Sequence, residues 1–141
     1  MLDYNQFLYA SRRAMIRDIL KTVEKEGLSQ DNHFLISFRT DRKDVVIPDF
    51  VRAKYPEEIT IVLQYQFENL IANEDFFQVD LTFGGVLSTL SIPYGAITQF
   101  ADPSQQFGFA LQPTDEKPLK KEKKKETSTV QIIDLERYRK K

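Results

Sequence analysis

The sequence predicts an α+β fold in which one long N-terminal helix precedes a small β-barrel or sandwich. Apolar residues recur at three- and four-residue steps over residues 4–26, which is the period of a helix. From Phe77 to Phe83 they alternate instead, which is the period of a half-buried strand. At Pro113 the composition changes to a Lys-rich segment. These observations indicate one folded domain followed by a disordered linker and a C-terminal peptide.

The first helix has signals at both ends. Asp3 is a suitable N-cap and Gly27 is a suitable C-terminal stop. At 1.5 Å per residue, residues 4–26 would extend over roughly 35 Å, about the width of the whole domain. We therefore expect part of the helix to extend beyond its own domain or to contact a second copy, although packing wholly on its own sheet remains open. The expected dimer interface consists of Tyr4, Leu8, Met15, Ile16 and Ile19.

Several short strands are expected to follow the helix. Residues 33–39 and 59–64 are apolar and rich in β-branched or aromatic residues, as is typical of strands. Residues 45–47 form a brief apolar run that ends at Pro48. Pro56, together with Pro48 just before the segment, and five charged residues predict a loop over residues 49–58. Residues 65–75 carry mixed signals and are compatible with either a helix or a strand.

The clearest local signal is a β-hairpin. Gly84 and Gly85 tolerate the positive φ angles of a tight turn between strands at residues 77–83 and 86–92. A turn or helical corner is expected at residues 93–97, and a last strand at residues 107–111.

Composition excludes several classes of function. There is no cysteine and only one histidine, His33, so thiolate metal sites and a histidine cluster are excluded within one chain. No apolar run approaches the ~20 residues of a membrane span, and no signal-peptide pattern is present, so a cytoplasmic location is expected. No phosphate-binding loop or nucleophile motif occurs. We therefore expect a protein that is not an enzyme and that needs no cofactor or metal.

The two parts of the chain, before and after residue 113, carry net charges of opposite sign. Residues 1–112 carry a net charge of −5, whereas residues 113–141 carry +4. An acidic body is a poor partner for a phosphate backbone, so nucleic-acid binding is not expected. Residues 113–129 are charged and nearly devoid of large apolar side chains, which predicts a flexible linker.

The last twelve residues are apolar again. A basic, apolar peptide at the end of a flexible linker is typical of a docking motif for another protein. Docking of this peptide onto its own domain is the alternative. The apolar side is formed by Val130, Ile132, Ile133, Leu135 and Tyr138.

Short motifs along nearly the whole chain resemble the SspB (stringent starvation protein B) family of ClpXP protease adaptors, in its α-proteobacterial branch. The motifs are VVIPDF at 45–50, YPEEITIVLQ at 55–64, ANED at 72–75, FGG at 83–85, SIP at 91–93, DPSQQFGF at 102–109 and IDLERYRKK at 133–141. Their order, together with the tail, makes the resemblance specific, although each motif alone is common.

The resemblance implies an Sm-like β fold that dimerises through its N-terminal helices. It also implies a groove that holds ssrA-tagged or similar substrate peptides in extended form. We place this groove between the loop after Ile47 and the Gly84–Gly85 turn, where glycines allow a peptide backbone to approach and aromatic side chains form pockets. The expected groove residues are Phe50, Val51, Phe83, Gly84, Gly85, Tyr94 and Ile97.

The resemblance further implies that the tail binds the zinc-binding N-terminal domain of ClpX, so the zinc belongs to the partner. The expected docking residues are Val130, Ile132, Ile133, Leu135, Arg137, Tyr138, Arg139 and Lys140. Two alternatives remain open from the sequence. One is an Sm-like RNA-binding module, and the other is a non-catalytic dimerisation protein whose tail docks on its own body.

Overall fold

The structure, a computed structural model, describes residues 2–29, 31–64 and 67–115. It confirms the α+β class, because one long helix is followed by two antiparallel sheets. The helices are α1 (Tyr4–Glu26) and α2 (Asp49–Lys54). The strands are β1 (Phe34–Arg39), β2 (Glu58–Leu63), β3 (Glu68–Ala72), β4 (Phe76–Phe83), β5 (Val86–Pro93), β6 (Ile97–Asp102) and β7 (Phe107–Ala110).

Helix α1 has the bounds that its end signals predict. The Asp3 side chain accepts a hydrogen bond from the Asn5 backbone N–H, and Gly27 ends the helix with a φ of 85°. This positive φ is accessible to glycine without the steric cost that other residues meet. Neither helix of the described chain is long and apolar enough to cross a membrane.

The strands form one four-stranded sheet, in the order β2-β1-β6-β7, and one three-stranded sheet, in the order β3-β4-β5. The predicted hairpin is confirmed as β4 and β5, with Phe83 paired to Val86 across the turn. Gly84 and Gly85 have φ angles of 56° and 84°, as a two-residue hairpin turn requires. The ambiguous region contains strand β3.

The core lies between helix α1 and the inner faces of the sheets. Its largest fully buried side chains include Leu20 of α1, Phe38 of β1, Phe77 of β4 and Phe100 of β6. The Phe100 ring lies 5.0 Å from the ring of Phe34, so aromatic contacts join neighbouring strands.

One expectation for the fold is wrong, and one strand was not predicted. Residues 49–58 are not all loop, because α2 occupies Asp49–Lys54. Pro48 stands at the N-cap, and Asp49 near the start and Lys54 near the end complement the helix dipole. Those features outweigh the prolines and charges that favoured a loop.

Strand β6 was not predicted at all. Its register with β1 shifts between Ser37 and Phe38, so that Thr98 is an additional residue without a direct partner in the pairing. As a result Ile97 and Phe100 both face the core at a spacing of three residues. The alternation that identifies a strand in the sequence is therefore absent.

Candidate functional site

Helix α1 contacts one outer strand of each sheet. The Glu24 carboxylate accepts a hydrogen bond from the Ala72 backbone N–H of β3 at 2.8 Å. The Arg12 guanidinium donates to the Ala110 carbonyl of β7 and lies 5.5 Å from the centre of the Phe109 ring. These contacts occupy β3 and β7, so β5 and β2 are the outer strands that α1 leaves open.

The open edge of β5 is partly paired. Val46 and Ser91 exchange two backbone hydrogen bonds, of 2.9 and 3.0 Å, and form an isolated bridge. Because backbone groups two residues apart along a strand face the same edge, those of Leu87 and Thr89 face the edge that Val46 occupies at Ser91. Within residues 2–29, 31–64 and 67–115, neither of the two has a backbone partner on that side. The edge from Leu87 to Thr89 can therefore accept another strand.

Exposed apolar side chains lie on this edge strand and along the segment that pairs with it. Val46 and Leu87 are each 58% exposed, Val86 is 52% exposed, and Phe50, on helix α2 four residues after Val46, is 49% exposed. Unpaired backbone groups beside apolar side chains are the two features that an extended peptide uses for binding. We call the backbone of Leu87–Thr89 together with Val46, Phe50 and Val86 the β5 edge site.

Helix α2 is anchored to the body by contacts from its inner face. Val51 is buried, and the Arg52 guanidinium donates a hydrogen bond to the Val45 carbonyl. The helix backbone begins with hydrogen bonds from Val51 and Arg52 to the Pro48 carbonyl. Phe50 is thus presented at the surface by a short helix that is anchored on both sides of it.

Of the seven predicted groove residues, some lie at the surface and others lie in the core. Phe50, Gly84 and Gly85 are exposed, and Phe83 is half-buried against the core. Three side chains are instead buried in the core and cannot line a surface groove in this conformation: Val51, Tyr94 and Ile97.

Tyr94 shows why an aromatic residue in that position is structural. Its ring stacks on Phe77 with 6.0 Å between ring centres, and its hydroxyl donates to the Asn73 carbonyl at 2.9 Å. Burial raises the pKa of the Tyr94 phenol, so the group stays neutral at physiological pH.

Sequence reasoning missed Val46 and Leu87. A signal for Leu87 was present, because Val86 and Leu87 are consecutive apolar residues in a strand that otherwise alternates. Leu87 shares its face of the sheet with Thr89 and Ser91, so it is the apolar exception on that face. Val46 had no such signal, since its exposure depends on its pairing with Ser91.

The predicted dimer residues also differ in exposure. Tyr4, Leu8 and Met15 are exposed along α1, and Ile19 is partly buried. Ile16 is fully buried in the protomer's own core and is therefore not available to a second copy. A shallow surface groove runs along the exposed side of the helix and is lined by Ser11, Ala14, Met15, Asp18, Ile19 and Thr22.

One charged group near the β5 edge site, the Asp80 carboxylate, is held by uncharged hydrogen-bond donors. Asp80, on the outer face of the hairpin, accepts hydrogen bonds from Asn69 at 2.7 Å and Thr89 at 2.6 Å. These two bonds lower the pKa of the Asp80 carboxyl. The described part of the chain contains no group of three or more His, Cys, Asp or Glu residues that could hold a metal ion.

The predicted docking residues, from Val130 to Lys140, lie outside the described residues. Most of the predicted linker, from Glu116 onward, lies outside them as well.

A comparison with protein-family models finds a match over residues 9–138. The matching model is described as SspB, stringent starvation protein B. A comparison with the curated proteins finds no match. The matched range includes all seven strands, α2, most of α1 and the chain as far as residue 138.

Proposed function

The chain belongs to the stringent starvation protein B family, and from that premise we propose that it is a protease adaptor without catalytic activity of its own. It binds ssrA-tagged or similar substrate peptides and tethers them to ClpXP, in the cytoplasm, for degradation. The observation that carries this proposal is the β5 edge site, where an open strand edge lies beside exposed apolar side chains.

The bound peptide is extended and continues the three-stranded sheet. Its backbone pairs with the free N–H and C=O groups of Leu87 and Thr89, on the same edge where Val46 pairs with Ser91. Main-chain hydrogen bonds of this kind depend little on peptide sequence. Selectivity then comes from contacts of alternate peptide side chains with Leu87 and Phe50.

The placement of the peptide can be tested by titration of an ssrA peptide into the isotope-labelled protein. Leu87→Ala or Phe50→Ala should weaken binding about tenfold, because each removes an apolar contact of about 1–2 kcal/mol. Leu87 is 58% exposed and Phe50 is 49% exposed, so truncation of either side chain should leave folding intact.

The matched control is Val62→Ala. Val62 is 46% exposed on β2, the open edge strand of the other sheet, and its truncation should not change peptide affinity. Chemical shift changes that cluster on β2 instead of β5 would contradict the placement.

The proposed adaptor is a homodimer joined through the exposed side of α1. Tyr4, Leu8 and Met15 provide apolar surface that the protomer's own sheets do not cover. A dimer carries two tails, so the second docking event on ClpX becomes intramolecular. Linkage of this kind raises avidity by a factor of about 10²–10⁴ without any new contact.

The tail provides the decisive test of delivery. A chain that ends at Thr129 should fold and bind the tag as the full chain does, because the residues of the β5 edge site lie before the linker. Without an anchor on ClpX it should hold tagged substrates and slow their degradation by ClpXP. A truncated chain that still accelerates this degradation would overturn the proposed function.

Single substitutions locate the docking contacts within the tail. Leu135→Ala or Tyr138→Ala should each cost about 1–3 kcal/mol of ClpX binding, as expected for buried anchors of a small interface. Gln131→Ala, a polar position between two predicted anchors, is the matched control and should bind normally. The binding partner in this measurement is the isolated zinc-binding domain of ClpX.

A further inference from the structure

The chain does not leave the body where the charged composition begins. Leu111, just after β7, is buried, and its backbone N–H donates to the Thr98 carbonyl at 3.0 Å. Three residues later the Thr114 N–H donates to the Gly95 carbonyl at 2.8 Å. The segment between them therefore stays on the body, beside the 3-10 helix Tyr94–Ala96.

A buried arginine also holds Thr114 against the body. Arg42 is 6% exposed, and its guanidinium forms two hydrogen bonds with the Asp44 carboxylate, at 2.9 and 2.8 Å. Its Nη1 also donates to the carbonyls of Thr114, at 2.5 Å, and Gly95, at 3.3 Å. A buried cation is costly unless its donors are used, so release of Thr114 would remove one of the acceptors of this guanidinium.

Gly95 packs closely against the Thr114 side chain. A Cβ atom added to Gly95 would lie 2.2 Å from the Thr114 Oγ1 and 3.3 Å from its Cβ. A methyl group at position 95 is therefore incompatible with Thr114 in its present position. The three heavy atoms nearest to such a Cβ all belong to the Thr114 side chain.

We propose that Arg42 and Gly95 clamp Thr114 to the body and so fix the origin of the tether at Asp115. This inference rests on the proposed function for its purpose, because only a tethering adaptor needs a defined tether origin. The clamp leaves fifteen residues, 115–129, between the body and the docking peptide. A flexible coil of fifteen residues has an end-to-end distance of about 21 Å.

The clamp also links the tether origin to the β5 edge site. The Val45 N–H donates to the Arg42 carbonyl at 3.4 Å, and the next residue, Val46, pairs with β5. One short segment thus holds the origin of the tether at one end and borders the bound peptide at the other. A captured tag is then presented next to the point from which the tether starts.

Amide hydrogen exchange on the full-length protein tests the clamp directly. The Thr114 amide should exchange at least about tenfold more slowly than an unprotected amide, in keeping with one intramolecular hydrogen bond of about 1.4 kcal/mol. Gly95→Ala should abolish this protection, while the protection of the Leu111 amide remains. An unprotected Thr114 amide in the wild-type protein would overturn the proposal.

The double variant Gly95→Ala with Thr114→Gly is the matched control. It removes the three side-chain atoms nearest to the new methyl group, so protection of the amide at position 114 should return. Loss of protection in both variants would mean that Gly95→Ala disturbs the 3-10 helix itself, and this outcome also overturns the steric clamp.

A delivery assay tests the purpose of the clamp. The linker is shortened stepwise after Asp115 until degradation of a tagged substrate by ClpXP falls to half. At that length Gly95→Ala should restore delivery about twofold, because release of residues 112–114 adds up to about 10 Å of chain. The double variant should stay at half, and a Gly95→Ala chain that also stays at half would refute the role in tethering.

The two assays separate the clamp from the proposed function. If no form of the protein delivers substrate to ClpXP, the proposed function fails while the exchange pattern can still establish the clamp. If delivery occurs and the Thr114 amide is unprotected, only the clamp fails.

Discussion

The two halves of helix α1 share one apolar periodicity but lie in different surroundings. In the C-terminal half Ile16, Leu20 and Val23 are buried against the body's own sheets. In the N-terminal half Tyr4 is 75% exposed and Leu8 is 44% exposed. Both halves satisfy the same helical pattern, so the pattern shows that an apolar side exists but does not show what covers it.

Polar contacts follow the same division. The C-terminal half is tied to the β3–β4 region by Glu24, which binds the Ala72 N–H, and by Lys21 and Arg17, which pair with Glu74. Within the described residues, the N-terminal half is tied to the sheets by the hydrogen bond from the Arg12 guanidinium to the Ala110 carbonyl. The difference leaves apolar side chains of the first half exposed, as the proposed dimer requires, and places those of the second half in the core.

The largest expected effect is on the buried half. Leu20→Ala should lower the free energy of unfolding by about 3 kcal/mol, through lost apolar burial and the cavity that remains. Leu8→Ala removes the same atoms from a side chain that its own protomer leaves exposed, and it should cost the folded protomer less than about 1 kcal/mol. Urea unfolding at equal protomer concentration measures both changes, and equal losses would contradict the contrast between the halves.

A charge in the exposed half should affect association instead of folding. Leu8→Asp should raise the dimer dissociation constant at least about tenfold, because it places an unpaired charge in an apolar interface. The helical circular dichroism signal should be retained. Gln6→Asp adds the same charge two residues earlier, on a different side of the helix, and should leave the dimer intact.

Sedimentation at tens of micromolar protomer distinguishes these species. A wild-type protein that sediments as a monomer at that concentration would refute the dimer, and with it the explanation for the exposed half.

A smaller effect is expected where α1 contacts the edge of β3. Glu24→Ala should cost about 1 kcal/mol, since it removes the acceptor of the Ala72 N–H. Glu24→Gln keeps a carbonyl oxygen at the same reach and should cost less. Faster amide exchange at Ala72 in the alanine variant only would establish the contact, whereas identical exchange in all three proteins would disprove it.

The smallest effect is the pH dependence of the Glu74 contacts. The hydrogen bond from Lys21, with the nearby charge of Arg17, lowers the pKa of the Glu74 carboxyl below its usual value. A lowered pKa in the folded state means that the stabilisation is complete above pH ~4.5 and disappears as the pH falls through the lowered value. The ion pair is exposed, so the contribution is small and salt-dependent.

Thermal unfolding of the wild type and Glu74→Gln tests this sign. The wild type should unfold at the higher temperature near pH 7, and the gap should close near pH 3. Glu68→Gln is the control, because Glu68 is an exposed carboxylate on β3 that pairs with no cation within the described residues, and this variant should not reproduce the gap. A gap for Glu74→Gln that widens on acidification would contradict the assignment.

The turn at Gly84 and Gly85 was predictable because it depends on local chemistry, and the structure confirms it. Phe50 is exposed, and its contact with the peptide stays a prediction. Val51 and Tyr94 were expected in the groove but are buried. An apolar or aromatic side chain suits a peptide pocket and a core equally well, so residue type alone could not separate the two.

Local signals in the sequence determined the limits of α1 and the position of the β4–β5 hairpin. Asp3, Gly27 and the Gly84–Gly85 pair act on backbone groups within four residues, and such effects do not depend on the rest of the fold. Family membership was likewise indicated by the order of short motifs along the chain.

Only the tertiary structure decided which surfaces remain open. Strand β6 is hidden in the sequence because a bulge against β1 breaks its alternation. The edge of β5 is available because α1 contacts β3 and β7 instead, and Thr114 is held on the body because Arg42 and Gly95 meet it there. Each of these features depends on residues far apart in the chain, whose contacts no local pattern of side chains specifies.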